Sequence, residues 1–490
     1  MVALGNINGW QPPQGPVTTW TASPAAREAA RTARRSDLAA SYQQAQHARL
    51  AHYATAMGRQ LPRLMIVAWD VPGVCDIPAM TAAITAHVRR HDTYHNWFEF
   101  ENGDIVRRTI DSPEVIDFVP VEVGYMSAEQ IRIHAMTTTP ETLEWDCFTF
   151  GIVQHTDHFT IYASVDHLHI DGMSTGLIFL DIHLMYQNLR LAAPTTLPQV
   201  GSYCDYTVRQ RQEMASLTLS SPEIKDWIEF AQDTGGDWPS FPLPLGDTWS
   251  NNKGDFLTVD LLDAAQTKSF DTVCRATGVR FSGGVLACAA LAEHELTGTE
   301  TYYGFTAHDT RTPGIDTMSV GWFASVFPVT VPTGTGSFPE VARAAQRSFD
   351  ATKHLAGVPF ERVLELAAPD LLGIKLPTRP AMMVSFLDFR KIPLATLWEQ
   401  TNFGTYGDCL SLGGINMWVN RHASKTTVTI SFPDNSIARE SVRRYIATLT
   451  HAFTCVAKGT SDWVDAVADH ANSHEPFALR GRRVTKATLR

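Results

Sequence analysis

The sequence predicts an α/β fold in two halves that each mix strands with helices and divide near residue 200. A length of 490 residues fits two or three compact units, because domains average roughly 150 residues. Residues 192–199 (AAPTTLPQ) have the composition of a linker. After it a strand and a helix, at 256–262 and 264–276, begin the mixed pattern again. We therefore expect one α/β unit at 1–200 and a second at 201–490.

The first half alternates short β-rich runs with amphipathic stretches. Residues 64–71 (LMIVAWDV) are apolar and rich in strand-favouring side chains. Met80, Ile84 and Val88 recur at helical spacing, and the largely apolar run 173–189 predicts a buried helix. In chain order the predicted elements are a helix at 41–54, a strand at 64–71, a helix at 77–90, a hairpin of strands 97–100 and 105–110, paired strands 147–153 and 159–165, and a helix at 173–189.

The second half starts with a helix at Ser221-Pro222, since serine caps helices and proline favours their first turn. Residues 238–247 are rich in proline and glycine and predict a loop. The last residues, 478–490, carry five basic and no acidic side chains, which indicates a solvated tail or a contact with an anionic membrane surface. The further predicted elements are a strand at 256–262, helices at 264–276 and 281–296, strands at 301–306, 324–331, 384–387, 416–419 and 427–432, and a helix at 439–457.

Composition excludes several classes of protein. Hydrophobic residues make up 44% and charged residues 19%, which is typical of globular chains. The net charge of −11 argues against nucleic-acid binding, which requires a basic surface. The seven cysteines are scattered without a CxxC pair, as in a reduced protein. With neither a secretory signal nor an 18-residue apolar run, we expect a cytoplasmic location.

The stretch Ser164–Gly172 (SVDHLHIDG) is the most informative for chemistry. A predicted strand enters it and a predicted helix leaves it. His167 at the strand end is suited to a general base, because a neutral imidazole can accept a proton from a hydroxyl group. Asp171 follows four residues later, and Gly172 is expected to permit a sharp backbone turn. A purely structural histidine is the alternative.

A second pattern overlaps the first. Gly172, Ser174 and Gly176 match G-x-S-x-G, the nucleophile elbow of serine hydrolases, between a strand and a helix. In that interpretation Ser174 attacks the substrate and the protein is an esterase or lipase. No later histidine lies in a stretch that marks it as the partner. Ser174 as a helix cap is the interpretation we favour.

Neither a metal site nor a phosphate-binding loop is predicted. His155, His158, His167 and His169 cluster in sequence, but no HExxH motif occurs. The glycine-rich segment 333–337 lacks the lysine of a phosphate-binding loop and is expected to be a turn. We expect no metal and no cofactor.

These motifs resemble the condensation-domain superfamily of acyltransferases, whose signature is HHxxxDG. Residues 166–172 (DHLHIDG) match it with Asp166 in place of the first histidine, so His167 is the catalytic residue that the resemblance implies. The resemblance also implies that Arg311 pairs with Asp171 to support the site together with Gly172. The family's DFGWG latch is altered here to NFGTYGD, at 402–408. Similar blocks lie at 41–46, 87–92, 309–311 and 320–323.

The chain further resembles the polyketide-associated acyltransferases of mycobacteria that build trehalose lipids. This resemblance implies two chloramphenicol-acetyltransferase-like lobes arranged in a V, with the active site in a channel between them. It also implies transfer of a long fatty or polyketide acyl group from acyl-CoA or a polyketide synthase carrier to trehalose or acyl-trehalose. The enzyme is then expected to be a monomer that works near an inner-membrane lipid exporter. Trp322, Tyr406 and Trp418 could offer a sugar an aromatic face, but we assign none of them. The similar stretches are 89–100, 143–154, 241–247, 280–298 and 432–442.

Overall fold

The computed structural model describes residues 3–459 except 195, 236–237, 249–251, 335–336, 375–378 and 393. The basic tail and part of the 333–337 segment therefore lie outside the described residues. The strands are β1 Ala3–Asn6, β2 Gly15–Ala22, β3 Arg34–Ser36, β4 Leu64–Pro72, β5 Asn96–Glu101, β6 Asp104–Thr109, β7 Phe118–Met126, β8 Phe148–Gln154, β9 His158–Asp166, β10 Gly254–Leu262, β11 Thr301–Asp309, β12 Ala324–Pro332, β13 Met382–Asp388, β14 Gly404–Gly407, β15 Ile415–Arg421 and β16 Thr426–Pro433.

Thirteen α-helices are described among these residues. They are α1 Pro24–Arg31, α2 Tyr42–Ala56, α3 Ile77–Arg90, α4 Ala128–Thr137, α5 Gly172–Arg190, α6 Tyr203–Ser216, α7 Pro222–Asp233, α8 Ala264–Ala276, α9 Phe281–Thr297, α10 Phe338–Thr352, α11 Phe360–Leu366, α12 Ala395–Trp398 and α13 Ser436–Lys458. In the described part of the chain, none of these helices combines the length and apolar character that crossing a bilayer requires.

Two large sheets organise the fold, and we call each sheet with its helices a lobe. The first lobe has strand order β1-β14-β4-β9-β8-β2-β7, and the second has β10-β16-β15-β13-β11-β12. A small sheet, β3-β6-β5, stands apart from both. The predicted pairing of 147–153 with 159–165 is confirmed as antiparallel β8 and β9, with Phe148 opposite Val165. Strand β9 lies inside the first sheet and ends at the motif.

Local capping signals explain where several helices begin. Ser41 and Gln44 form a reciprocal capping box at the start of α2, so each side chain bonds to the other's backbone N–H. Asp76 caps α3 and accepts from the N–H of Ala79 at 3.0 Å. Asp171 caps α5 in the same way and accepts from the N–H of Ser174 at 2.9 Å. This last cap places the motif aspartate at the start of the most buried helix of the first lobe.

The two lobes are joined by a strand exchange as well as by side chains. Strand β14, from the second half of the chain, lies between β1 and β4 of the first sheet, antiparallel to β4. Beside it, the amide of Asn6 in β1 donates to Asp255 in β10 of the second sheet at 2.7 Å. The apolar core of the first lobe likewise includes Val320, Trp398 and Phe403. Residues late in the sequence therefore complete the lobe that carries the motif.

Candidate active site

His167 follows directly after β9, at the end of an interior strand. Its N–H donates to the carbonyl of Arg63 at 2.7 Å, which extends the contact between β4 and β9 by one residue. The side chain is half-buried. Its Nδ1 is buried without a hydrogen-bond partner among the described residues. Burial of the ring, together with the nearby His47, lowers the pKa of His167 to about 4, so the imidazole is neutral at physiological pH.

Two aromatic rings surround His167. Trp322 lies against its face, with ring centroids 3.7 Å apart and an interplanar angle of 29°. His47 of α2 lies 6.2 Å from His167 and meets the same tryptophan edge-on at 5.5 Å. Trp322 belongs to the segment before β12 in the second lobe, so the motif histidine is covered from across the lobe boundary.

Asp166, which replaces the first histidine of the signature, is fully buried and has four hydrogen-bond partners. Its carboxylate accepts from His47 at 2.8 Å, Arg63 at 3.1 Å, Thr142 at 2.7 Å and the N–H of Leu168 at 2.9 Å. Burial alone would raise the pKa of this carboxyl group, but His47 and Arg63 hold it below its usual value. Asp166 is therefore a charged structural anchor beneath the motif rather than a group open to substrate.

Asp171 and Arg311 form a bidentate ion pair across the lobe boundary. Arg311 Nη1 donates to Asp171 Oδ2 at 2.9 Å and Nη2 donates to Oδ1 at 3.0 Å. Both side chains are buried, exposing 2% and 4% of their surface. Burial opposes ionisation of the carboxyl group, yet Arg311 and the N–H and hydroxyl groups of Ser174 hold the pKa of Asp171 below its usual value. The predicted pair is thus present in the structure.

The same pair also fixes the segment that carries Trp322. The N–H groups of Phe323 and Ala324 donate to Asp171 at 3.0 and 3.2 Å. Arg311 donates to the carbonyl of Ser319 at 3.2 Å, and its guanidinium lies 4.2 Å from the Phe323 ring centroid. The ion pair therefore determines the position of a stretch of backbone as well as joining the lobes.

Ser174 is part of this network and is poorly placed to act as a nucleophile. It is fully buried, and its hydroxyl donates to Asp171 at 2.9 Å or to the carbonyl of Gly321 at 3.0 Å. It accepts from Arg311 at 3.1 Å, and no histidine is among its partners in the described chain. The second glycine of the elbow pattern has a packing role, since a Cβ at Gly176 would lie 2.6 Å from Ile392. The serine-hydrolase interpretation finds no support in this geometry.

Gly172 does not have the backbone conformation that we expected from it. It is the first residue of α5 and is not among the glycines with a positive φ angle. Its backbone conformation is therefore open to other residue types. The expectation of a sharp glycine turn is wrong. Gly172 is exposed, and a Cβ built on it would meet no atom within 4 Å. What it provides is open space beside the start of α5.

The structure also separates the histidines that cluster in sequence. His155 and His158 lie at the far end of the β8–β9 hairpin, with ring centroids 4.5 Å apart. His169 is fully buried and contacts Thr93 through Nδ1 at 3.3 Å. Burial lowers the pKa of His169 to about 4. These side chains form no common metal site with His167.

A different group, His87, His91 and Asp181, brings three ligand-type atoms within 4.8 Å of one another. Arg90 lies 3.2 Å from the same carboxylate oxygen, and its positive charge disfavours a metal ion there. His91 bonds to Asp181 at 2.7 Å through Nε2 and accepts from the N–H of Val320 at 3.3 Å through Nδ1. The group is therefore a buried hydrogen-bond network that contacts the segment before Trp322.

The altered latch at 402–408 is connected to the motif through hydrogen bonds to Arg63 and Leu64. Strand β14 ends at Gly407, and the next residue, Asp408, accepts from the N–H groups of Arg63 and Leu64 at 2.8 and 2.9 Å. Because the carbonyl of Arg63 accepts from His167, Asp408 lies one residue away from the backbone that holds the motif histidine. The remaining two candidate aromatics are elsewhere: Tyr406 is buried within β14, and Trp418 stacks against Phe256.

Three residues of the site are absent from the sequence-based prediction as site residues: His47, Arg63 and Trp322. His47 lies just after the family-like block at 41–46, and Trp322 lies within the one at 320–323. The resemblance therefore pointed to these segments, but it did not show that the two side chains lie close to His167. Arg63 precedes a predicted strand and had no signal of its own. Their roles depend on contacts between distant segments.

A half-buried histidine at the junction of two α/β lobes, with a buried aspartate–arginine pair beside it, defines a condensation-type acyl-transfer fold. The condensation-domain model matches residues 43–370, and the chain belongs to this family. It is 46% identical to acyltransferase PapA3 and 47% identical to trehalose-2-sulfate acyltransferase PapA2, both of Mycobacterium tuberculosis. These alignments cover 93% and 94% of this chain, and 97% and 98% of the relatives.

Solved structures agree with this assignment. The PapA2 acyl transferase superimposes with a TM-score of 0.90 at 46% identity, over 93% of this chain and all of that one. The condensation domain of the Monacolin K polyketide synthase MokA has a TM-score of 0.67 at 14% identity, covering 87% of this chain and 99% of that domain, which supports the fold alone. The fold is the chloramphenicol-acetyltransferase-like pair of lobes, and the protein is an acyltransferase.

Proposed function

We propose that this protein transfers a long fatty or polyketide acyl group from a thioester to a hydroxyl group of trehalose or an acylated trehalose. The observation that carries the proposal is the 47% identity, over 94% of the chain, with an enzyme named trehalose-2-sulfate acyltransferase. The site geometry is compatible with it, since a neutral, partly accessible imidazole occupies the signature position. The donor is acyl-CoA or a carrier-bound acyl group, and no further cofactor takes part.

In this mechanism His167 is the general base. It removes the proton from the sugar hydroxyl as that oxygen attacks the thioester carbonyl carbon, and a tetrahedral intermediate forms. The carbon–sulfur bond then breaks, and the imidazolium returns the proton to the departing thiolate. No acyl-enzyme is formed, which agrees with the buried and fully bonded hydroxyl of Ser174. Holding both substrates together supplies much of the rate enhancement.

Product analysis tests this function directly. Mass spectrometry would follow trehalose, or trehalose 2-sulfate, incubated with palmitoyl-CoA and the purified protein. We expect an acylated sugar, and a loss of about 10²–10⁴-fold in rate for His167→Ala, as is typical for removal of a general base. Ser174→Ala is expected to retain turnover at a reduced rate, because it loses bonds to Asp171 and Gly321 but no reacting group. Loss of turnover in Ser174→Ala with retention in His167→Ala would instead indicate a serine hydrolase.

Intact-protein mass spectrometry adds a second test. Incubation with the thioester alone should leave the mass of the protein unchanged, because the proposed transfer is direct. A stable acyl adduct that forms before the sugar is added would contradict this mechanism. Monomeric state, cytoplasmic placement near the inner membrane and delivery to a lipid exporter remain predictions from the family resemblance.

A further inference from the structure

Apart from an interaction with its own backbone, the His167 ring has no polar contact that orients it within the described chain. A catalytic histidine is commonly oriented by a hydrogen bond to its second ring nitrogen, which also fixes its tautomer. Here Nδ1 is buried and has no such partner among the described residues. The backbone N–H of His167 is held by Arg63, but that contact leaves the side-chain torsions free. Contacts from other segments of the chain are therefore important for the orientation of the ring.

Trp322 makes such a contact. Its ring stacks on the imidazole at a centroid distance of 3.7 Å, closer than the roughly 4.5–7 Å of most aromatic pairs. His47, whose own ring is fixed by its hydrogen bond to Asp166, meets Trp322 edge-on. The indole therefore lies against two histidines and covers one face of His167.

The backbone of Trp322 is unusually well fixed. Its carbonyl accepts from the hydroxyl of Tyr203 at 2.9 Å. The N–H before it, on Gly321, donates to Ser174 at 3.2 Å, and the N–H after it, on Phe323, donates to Asp171 at 3.0 Å. A continuous series of bonds therefore runs from the interlobe pair, through this segment, to the ring that stacks on His167.

We propose that Trp322 is the positioning residue for His167: its indole orients the imidazole by stacking, and its face stabilises the imidazolium that forms when the hydroxyl proton is taken. This inference deepens the function proposed above and rests on it for the role of His167. It also gives the Asp171–Arg311 pair a function in catalysis, because the pair holds the segment from which the indole projects.

The energetics agree with a sizeable effect. A cation over an indole face gains about 2 kcal/mol when desolvated, which corresponds to roughly 30-fold in rate. The charged and titratable groups near the imidazole are His47 of α2 and, from its own connection, Asp166 and Asp171. Asp166 and Asp171 favour a charge on the ring from a distance and His47 disfavours it, whereas the indole lies in direct contact with the face of the ring.

Two measurements on the full chain test the proposal. The first is NMR titration of histidine-labelled protein without substrate, with the His167 signal assigned by its absence in His167→Gln. Trp322→Leu is expected to lower the His167 pKa below its wild-type value of about 4, because the leucine still covers the ring but the imidazolium loses the indole face that stabilises it. Trp322→Phe, which keeps a stacking ring, should stay close to the wild type. Trp238→Leu is the matched control, since Trp238 packs on Phe305 and Phe360 and, among the described residues, on no histidine ring.

The second measurement is steady-state acyl transfer. Trp322→Leu should lower kcat by roughly 30-fold while KM for the sugar is unchanged, and Trp322→Phe should recover most of that loss. A His167 pKa that is unchanged or raised in Trp322→Leu would overturn the proposal, and so would an effect on sugar KM alone. If the wild type transfers no acyl group to a sugar, the proposed function fails. The NMR titration would still decide whether Trp322 controls the ring.

Discussion

Asp171 and Arg311, 140 residues apart in sequence, share two parallel hydrogen bonds of 2.9 and 3.0 Å at the boundary between the lobes. The same carboxylate caps α5 and accepts two backbone N–H groups of the second lobe. One buried carboxylate thus caps a helix, forms an ion pair and accepts hydrogen bonds from a segment of the second lobe. Its removal is expected to affect both stability and catalysis.

Asp171→Asn should destabilise the protein by about 3–5 kcal/mol, because it leaves the buried guanidinium of Arg311 with only the exposed Asp309 as a charged partner. Urea-induced unfolding followed by circular dichroism measures this. Asp309→Asn is the matched control: Asp309 also bonds to Arg311, at 3.0 Å, but is 44% exposed, and exposed ion pairs contribute about 1 kcal/mol or less. Equal losses in the two variants would contradict the central role of Asp171.

The buried histidines predict a loss of stability on mild acidification. Burial keeps the pKa of His169 near 4, whereas an unfolded histidine takes up its proton near pH 6.5. The unfolded state therefore binds more protons between these values, and stability falls by about 1.4 kcal/mol per pH unit for each such residue as the pH drops from 6.5 to 4. His169→Leu should remove one such contribution from the slope of unfolding free energy against pH.

The control for this measurement is Thr93→Val, which removes the hydrogen bond to His169 and keeps the titrating ring. It should lower stability with little change in slope. A slope in His169→Leu that equals the wild-type slope would show that His169 does not titrate as proposed.

Asp408→Ala should weaken the attachment of β14 to the first lobe. It leaves the N–H groups of Arg63 and Leu64 without an acceptor, which costs about 1–3 kcal/mol for a buried donor. Because Arg63 in turn holds His167, kcat should fall as well. Asn402→Gly is the control: it removes only a 3.3 Å bond to Asp70, and its φ of 49° suits glycine. Thermal melting and kcat measured on both variants check this, and an Asp408→Ala variant with wild-type melting would count against it.

Asp166→His, which restores the usual first residue of the signature, is expected to be harmful in this protein. It removes the carboxylate that Arg63 and His47 share and adds a third basic group to a buried site, a loss of about 3–5 kcal/mol. The double variant His47→Asp with Asp166→His exchanges the two partners and should recover part of the loss. A double-mutant cycle of unfolding free energies measures the coupling. Additive losses would mean that the two residues are not energetically linked.

Local signals were sufficient for much of the secondary structure. Helices α3 and α8 have the predicted bounds, because each begins at an aspartate cap with apolar residues at helical spacing behind it. Strand β7 was missed although Val119, Val121 and Val123 alternate along it, because Pro120 and Gly124 interrupt the run and are disfavoured inside strands. Strand β14 was missed as well: it has four residues, and its place in the first sheet depends on β1 and β4.

The sequence by itself determined the two mixed halves, the motif histidine and its aspartate, and, through the family signature, Arg311 as the partner of that aspartate. Only the tertiary structure decided that Trp322 covers His167 and that His47 and Arg63 bond to Asp166. It also decided that the ion-pair network buries Ser174 and that Gly172 borders open space. The reason is physical. Caps and periodicity act over a few residues, whereas contacts such as His47 with Asp166, 119 residues apart, exist only once the sheets have packed.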